Sequence, residues 1–571
     1  MTGKAKLLIA SSALTCLITM GCASQAVAPV TAAAPGTLDP AYLAAHVCGS
    51  PAAGVAVADG KPMPLLGGLA PIHYAIASKS PEVQAYFDQG LALLYGFEYE
   101  TAYKSFKTAL NLDPDCAMCQ WGAAMALGPD INNSEMKPKD AEEARGLLAA
   151  ASKGADLSDR DRALIDALNV RYAVTPPADQ GGVWTEKYAD AVMAVSQRWP
   201  DDDFLAVLAA EAAMNVHAWD YWEAGGHVAK PWGARAMTLV ERVLKRSPDQ
   251  PEAIHLYIHL TEASDNPRRA EPYADRLGIL APNAPHLVHM PGHTYFPLGR
   301  FKDSILINEK AIALDEGMAR ALGDDPAWYG YYFHHARFIM SAAQQVGDGA
   351  TALRLAAQME QGVPLDKALK SEWSESTWAL TYQARGQFEA PEDVLALPAP
   401  DKRLKIATVA WRAVRAEAFA RLGNIALARK ELSALKKTHQ NVKSKDWKVF
   451  VDLADQMAQG RVELAAGNTA LAIADFRAAV VTDGQFDYSE PPLWFQPADI
   501  ALGHALLVGG DSAGARTAFQ HALTVRPGNA YAQWGLAEAA AKLGDAASST
   551  DMAAFDKIWL GDPGAMSLDR L

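Results

Sequence analysis

The chain has 571 residues and a formal net charge of −14, with 50% hydrophobic and 21% charged residues. That length exceeds one ordinary core and calls for several domains or a repeat array, and that composition excludes a disordered chain. An acidic sequence without a basic block excludes nucleic acid as the partner. Richness in Ala, Leu and Gly, with little alternating Val, Ile and Thr, favours helices over strands.

Residues 1–21 read as an export signal. Lys4 and Lys6 precede an apolar run from Leu7 to Met20, followed by Gly21-Cys22-Ala23-Ser24. The run is too short to remain as a spanning helix. Gly21-Cys22 resembles a bacterial lipoprotein processing site with Cys22 as the lipidated residue, with Thr19 where Leu is usual. Cleavage after a small residue between 26 and 34 is the alternative. Both readings place the protein outside the cytoplasm, in the periplasm or at the outer membrane, touching the membrane only through an N-terminal lipid anchor. Residues 22–80 read as an Ala/Pro/Val-rich tether and an irregular segment. Beyond the signal the cysteines are Cys48, Cys116 and Cys119. Cys116-Ala-Met-Cys119 lacks the second pair of a zinc knuckle, so a disulfide and two free thiols both stay open.

From about Pro81 the chain repeats itself. Gly90, Ala102, Phe106, Ala109 and Pro114 have the same spacings as Gly503, Ala515, Phe519, Ala522 and Pro527, and Gly460, Ala472, Phe476 and Ala479 follow the same scheme. The spacing resembles the tetratricopeptide repeat, a helix–turn–helix unit of about 34 residues. The resemblance implies an all-α solenoid: a right-handed superhelix in which each unit buries its apolar face on its neighbours. About nine or ten such units would cover most of residues 82–547. The segments FDQGLALLYGFEYETAYKSF, DPDCAMCQWGAAMALGPDIN, HLVHMPGHTY, YYFHHARF and SEPPLWFQPADIALGHALL are similar to those of a group of exported bacterial tetratricopeptide proteins. That likeness implies fold and export and carries no settled chemistry.

The expected organisation is an N-terminal and central array over 81–385, a Pro-rich joint at 386–402, a C-terminal array over 403–547 and a tail over 548–571. Within the first array, residues 217–232 interrupt one unit with His217, Trp219, Trp222 and His227. Stacking does not require such an insertion, so it reads as functional.

Glu252–His293 holds five of the 14 histidines. Glu252, His255, His259 and Glu262 fall at positions 2, 5, 9 and 12 of a unit starting at Pro251, one face of a helix. A shift of 34 residues sets His286, His289 and His293 on the same positions of the next unit. His334 takes position 2 of a third unit, with His335 beside it. In the tetratricopeptide family these first-helix positions line the concave groove, so the resemblance implies a face open to ligand. Imidazole with carboxylate suits Zn, Cu, Fe or Mn, and histidines at i and i+4 present nitrogens on successive turns.

The expected metal ligands are therefore Glu252, His255, His259, His286, His289, His293 and His334, meeting around one divalent transition-metal ion. Glu262 is the candidate general base or support for a ligand. The candidate groove residues are His217, Trp222, His227, Tyr295, His335 and Arg337. HLYIH lacks the Glu of a zincin. Pro291-Gly292 implies a kink, or a helix start, between His289 and His293. Two functions stay open: a metal centre, which with an open position would be a metal-dependent hydrolase or oxidoreductase, and a metal-free envelope scaffold binding a peptide, protein or small molecule in the groove.

Overall fold

The computed structural model describes residues 63–566 apart from 79, 134–135, 174–180, 326–328, 443–444, 487 and 565. The export signal, Cys22 and Cys48 lie outside the described residues. The described chain is all-α, with one isolated antiparallel bridge between Trp222 and Ala229. No helix among the described residues is long and apolar enough to cross a membrane.

Helices pair along the chain. Pro81–Tyr95 pairs with Tyr99–Leu112, Ala117–Ala126 with Pro138–Ala151, Asp159–Tyr172 with Gly181–Arg198, and Asp203–Met214 with Pro231–Arg246. Pro251–Glu262 then leads into Glu271–Leu280, and the short helices Pro285–His289 and Pro291–Tyr295 lie against Phe301–Leu322. Tyr332–Val346 and Gly349–Gly362 follow, then Glu372–Phe388 with the short Pro391–Ala396. Four further pairs, from Lys405–Arg421 to Ala547–Ile558, complete the array.

The repeat spacing has a steric cause. The Phe106 ring is fully buried where the helices carrying Gly90 and Gly122 meet. A Cβ on Gly90 would lie 2.5 Å from that ring and one on Gly122 2.4 Å. The Phe519 ring relates to Gly503 and Gly535 in the same way, at 2.6 and 2.4 Å. Only glycine lets the two backbones approach the ring so closely. Gly90→Ala and Gly503→Ala are each expected to lower stability by about 1–3 kcal/mol, read as a lower denaturant midpoint. Gly146 is an exposed helical glycine with nothing within 4 Å of its notional Cβ. There the same substitution should raise the midpoint slightly, because alanine is the better helix former.

Cys116 and Cys119 form a disulfide at the start of Ala117–Ala126, with Cys116 Sγ accepting the Cys119 amide. The chain also folds back on itself. Gln345 Nε2 donates to Phe495 O at 2.7 Å, Asn529 Nδ2 to Gln345 Oε1 at 2.7 Å, and the Leu560 amide to Val346 O at 2.8 Å. The linker between Thr469–Asp483 and Ala498–Val508 is thereby brought over the histidine-bearing helices.

Candidate metal centre

Helix Pro251–Glu262 carries His255 and His259 one turn apart on its inner face. His286 and His289 lie on Pro285–His289, His293 on Pro291–Tyr295, and His334 and His335 on Tyr332–Val346. Pro291 starts a separate short helix, one of the two outcomes its place in the sequence implies, with only Met290 between it and Pro285–His289. Met290 keeps helical angles (φ −51°, ψ −35°), and the His293 amide bonds Met290 O at 3.0 Å in place of the longer helical bond that Pro291 disrupts. Gly292 has its own reason. A Cβ there would come within 2.7 Å of Asn308 Nδ2, and Asn308 supports His289.

The imidazoles do not all meet at one point, as the sequence spacing suggests; they divide into two triads. His255 Nε2 lies 3.0 Å from His259 Nε2 and 3.1 Å from His286 Nε2. His289 Nε2 lies 2.6 Å from His293 Nε2 and 3.1 Å from His334 Nε2, with His293 and His334 at 3.4 Å. The His259 and His293 rings approach with centres 5.4 Å apart, but both give Nδ1 to Glu262, so their Nε2 atoms serve different triads. Each triad instead recruits position 2 of the following unit. Three nitrogens each about 2.0–2.1 Å from one ion stand roughly 3.3–3.6 Å apart, near the spacings seen.

The remote ring nitrogens decide what the near ones can do. His255 Nδ1 faces Tyr95 O at 2.9 Å, an oxygen that can only accept. His289 Nδ1 faces Asn308 Oδ1 at 2.5 Å, and Asn308 Nδ2 donates to Ser304 O. Both Nδ1 atoms therefore carry the proton, and both Nε2 atoms turn a lone pair inward. His259 Nδ1 bonds Glu262 Oε1 at 2.8 Å, and His293 Nδ1 bonds Glu262 Oε2 at 2.6 Å and also Glu490 Oε2. The Tyr488 hydroxyl reaches Glu262 Oε2 at 2.7 Å and Glu490 Oε2 at 3.0 Å. Burial holds His255 and His259 down to about 3 and pushes His286, His289 and His334 well below the usual imidazole value, so these rings are neutral donors at physiological pH.

The face expected to be an open groove is closed. His255, His259, His286 and His289 are 0% exposed, His293 1% and His334 3%. Phe97, Trp219, Tyr331, Phe338 and the Tyr488–Glu490 strap cover it. Among the described residues Phe97 (φ 56°) and Trp219 (φ 66°) are the non-glycine residues with positive φ, and both rings pack on His259. Left-handed backbone at bulky residues is costly and gathers where function over-determines it.

The other expected residues take varied places. Glu252 is fully buried, with its carboxylate 3.6 Å from His255 Nδ1, on the side of the ring facing away from the triad. Glu262 likewise sits at the remote nitrogens, bridging two imidazoles, so its place is that of a support for ligands. His335 stacks beside His289 with ring centres 4.4 Å apart and bonds Asp315 at 2.8 Å through Nδ1. Arg337 is buried beside Trp373. Tyr295 bonds Asp275 at 2.8 Å beneath the Arg300 guanidinium. His217 and His227 are exposed, the latter paired with Asp265, and Trp222 Nε1 donates to Leu260 O at 2.8 Å. From the insertion, Trp219 reaches the centre. Sequence reasoning assigned no role to Phe97, Asn308, Phe338, Tyr488 or Glu490. Glu490 lies within the SEPPLWFQ segment, Phe97 within FDQGLALLYGFEYETAYKSF and Phe338 within YYFHHARF, the sequence signals that marked any of them.

Two tetratricopeptide repeat family models match residues 83–116 and residues 500–550. With the helical array around them, they define the class: this is a tetratricopeptide-repeat protein. No curated protein matches the chain. Among solved structures, a human IFIT1 dimer with m7Gppp-AAAA is similar at 12% identity, covering 85% of this chain and 90% of that one, with a TM-score of 0.29. Yeast Tom70 is similar at 12% identity, 82% and 90% coverage and a TM-score of 0.23. Ypp1 is similar at 10% identity, 86% and 89% coverage and a TM-score of 0.39.

Proposed function

We propose that this is an exported, lipid-anchored metalloprotein whose tetratricopeptide array binds a transition-metal ion through its buried histidines. The observation that carries the reading is the inward convergence of Nε2 atoms while Tyr95 O and Asn308 Oδ1 occupy the protonated Nδ1 atoms of His255 and His289. Inward lone pairs about 3 Å apart repel one another, and a cation between them turns that repulsion into ligation. The residues also form closed groups of at least three donors whose ligand atoms lie within 4.8 Å of one another. Export rests on Lys4, Lys6, the apolar run and Gly21-Cys22, and the Cys116–Cys119 disulfide suits an oxidising compartment.

The test is elemental analysis of protein purified from cells supplied with Cu, Zn, Fe and Mn. Wild type should carry bound metal, and His255→Ala/His259→Ala should carry less, with an unchanged helical spectrum. A wild type free of metal after such growth sinks the proposal.

A second reading, capture of a protein or peptide, is favoured by a separate cavity lined by Gln344, Gln383, Glu417, Arg461, Trp494 and Gln496. Tetratricopeptide arrays typically bind such partners. A partner that co-purifies equally with wild type and the double histidine variant would favour it.

A further inference from the structure

We propose that the chain holds two copper(I) ions, one in the triad His255, His259 and His286 and one in the triad His289, His293 and His334. The inference rests on the metal-binding reading above and deepens it in number and identity.

The two triads are one design used twice. Each takes positions 5 and 9 of one repeat and position 2 of the next, and His289 and His293 follow His255 and His259 by one repeat length of 34 residues. Each has its own phenyl ring against all three imidazoles. Phe97 lies 4.4, 5.9 and 5.3 Å from His255, His259 and His286. Phe338 lies 4.9, 4.8 and 5.0 Å from His289, His293 and His334. Each has its own neutral acceptor fixing a ring, Tyr95 O in one and Asn308 in the other. His259 and His293, one from each triad, are joined through Glu262 at their Nδ1 atoms, which leaves the Nε2 atom of each to its own triad.

The identity follows from coordination and charge. A zinc ion on three histidines takes water or another donor in its fourth position. Here the triads are sealed from solvent and a phenyl ring lies against each, which suits an ion content with three neutral nitrogens. Copper(I) accepts that trigonal arrangement. The acids that touch the ligands fit the same ion. Glu262 bridges His259 and His293, and Glu490 joins it at His293. These two carboxylates can neutralise two monovalent ions, whereas two divalent ions would leave a buried excess of positive charge.

The experiment is anaerobic titration of the metal-free full chain with copper(I) in competition with a chromogenic copper(I) chelator. Wild type should take two equivalents, and His255→Ala and His334→Ala one each, with unchanged circular dichroism. X-ray absorption of the loaded wild type, which needs no variant to fold, should show nitrogen-only coordination by three neighbours. One equivalent in wild type, abolished by either substitution, overturns the two-site inference and leaves metal binding standing. Zinc(II) filling both triads in preference to copper(I) overturns the identity. Binding of no metal at all defeats the function proposed above, an outcome distinct from the other two.

Discussion

Replacing Glu262 by leucine is expected to weaken metal binding at His255, His259 and His286 by about 10- to 100-fold, the usual cost of losing a partner behind a ligating imidazole. Glu262 Oε1 is the acceptor for His259 Nδ1, and leucine leaves that buried N–H without a partner and the ring free to turn. The second triad should suffer less, because His293 Nδ1 keeps Glu490. Removing both acids in Glu262→Leu/Glu490→Leu should therefore weaken both triads. Asn308→Ala is the converse control. It removes the acceptor of His289 and should weaken only the triad of His289, His293 and His334. Competition titrations on the three variants separate these outcomes. Equal losses at both triads in Glu262→Leu would contradict the bridging role assigned to this carboxylate.

The second large effect is on stability and its pH dependence. Burial raises the Asp130 carboxyl from 3.8 to about 7, against the opposing pull of the Asn132 and Asn133 amides that it accepts. A raised value in the folded state means that stability is fully present below the unfolded value of 3.8 and is lost as pH rises through about 7. Both amides bond the same oxygen, Oδ1, at 2.6 and 2.9 Å, so asparagine at this position can keep both bonds without the charge. Asp130→Asn is expected to match wild type near pH 4 and to exceed it at pH 8. The gain is bounded at about 4 kcal/mol, three pH units at about 1.4 kcal/mol each. Denaturant unfolding of both proteins at the two pH values reads it directly. The site bears on the metal centre, because Asn132 Nδ2 donates to the Tyr331 hydroxyl and the Tyr331 ring packs 4.5 Å from His286.

Much of the array was legible in the sequence because its cause is local. Gly90, Phe106 and their counterparts at Gly503 and Phe519 recur at fixed spacing, since each ring must fill the same gap between paired helices. The candidate ligands were legible for the same reason: a 3.6-residue turn and a 34-residue repeat set His255, His259, His289 and His293 on matching faces. Pro291-Gly292, which implied a kink or a helix start, is a helix start: two short helices meet at Met290, and Asn308 is drawn close to Gly292.

What the sequence by itself determined is therefore the repeat class and the set of inward-facing imidazoles. Tertiary structure alone decided how those imidazoles divide. Glu262 takes the Nδ1 atoms of His259 and His293, and His286 and His334 each complete the pair from the preceding unit. It also decided that the face is closed. Glu490 reaches His293 across 197 residues of chain, and Tyr95 reaches His255 across 160. Contacts of that range leave no periodic trace, because they depend on how the superhelix curves and where its C-terminal repeats return.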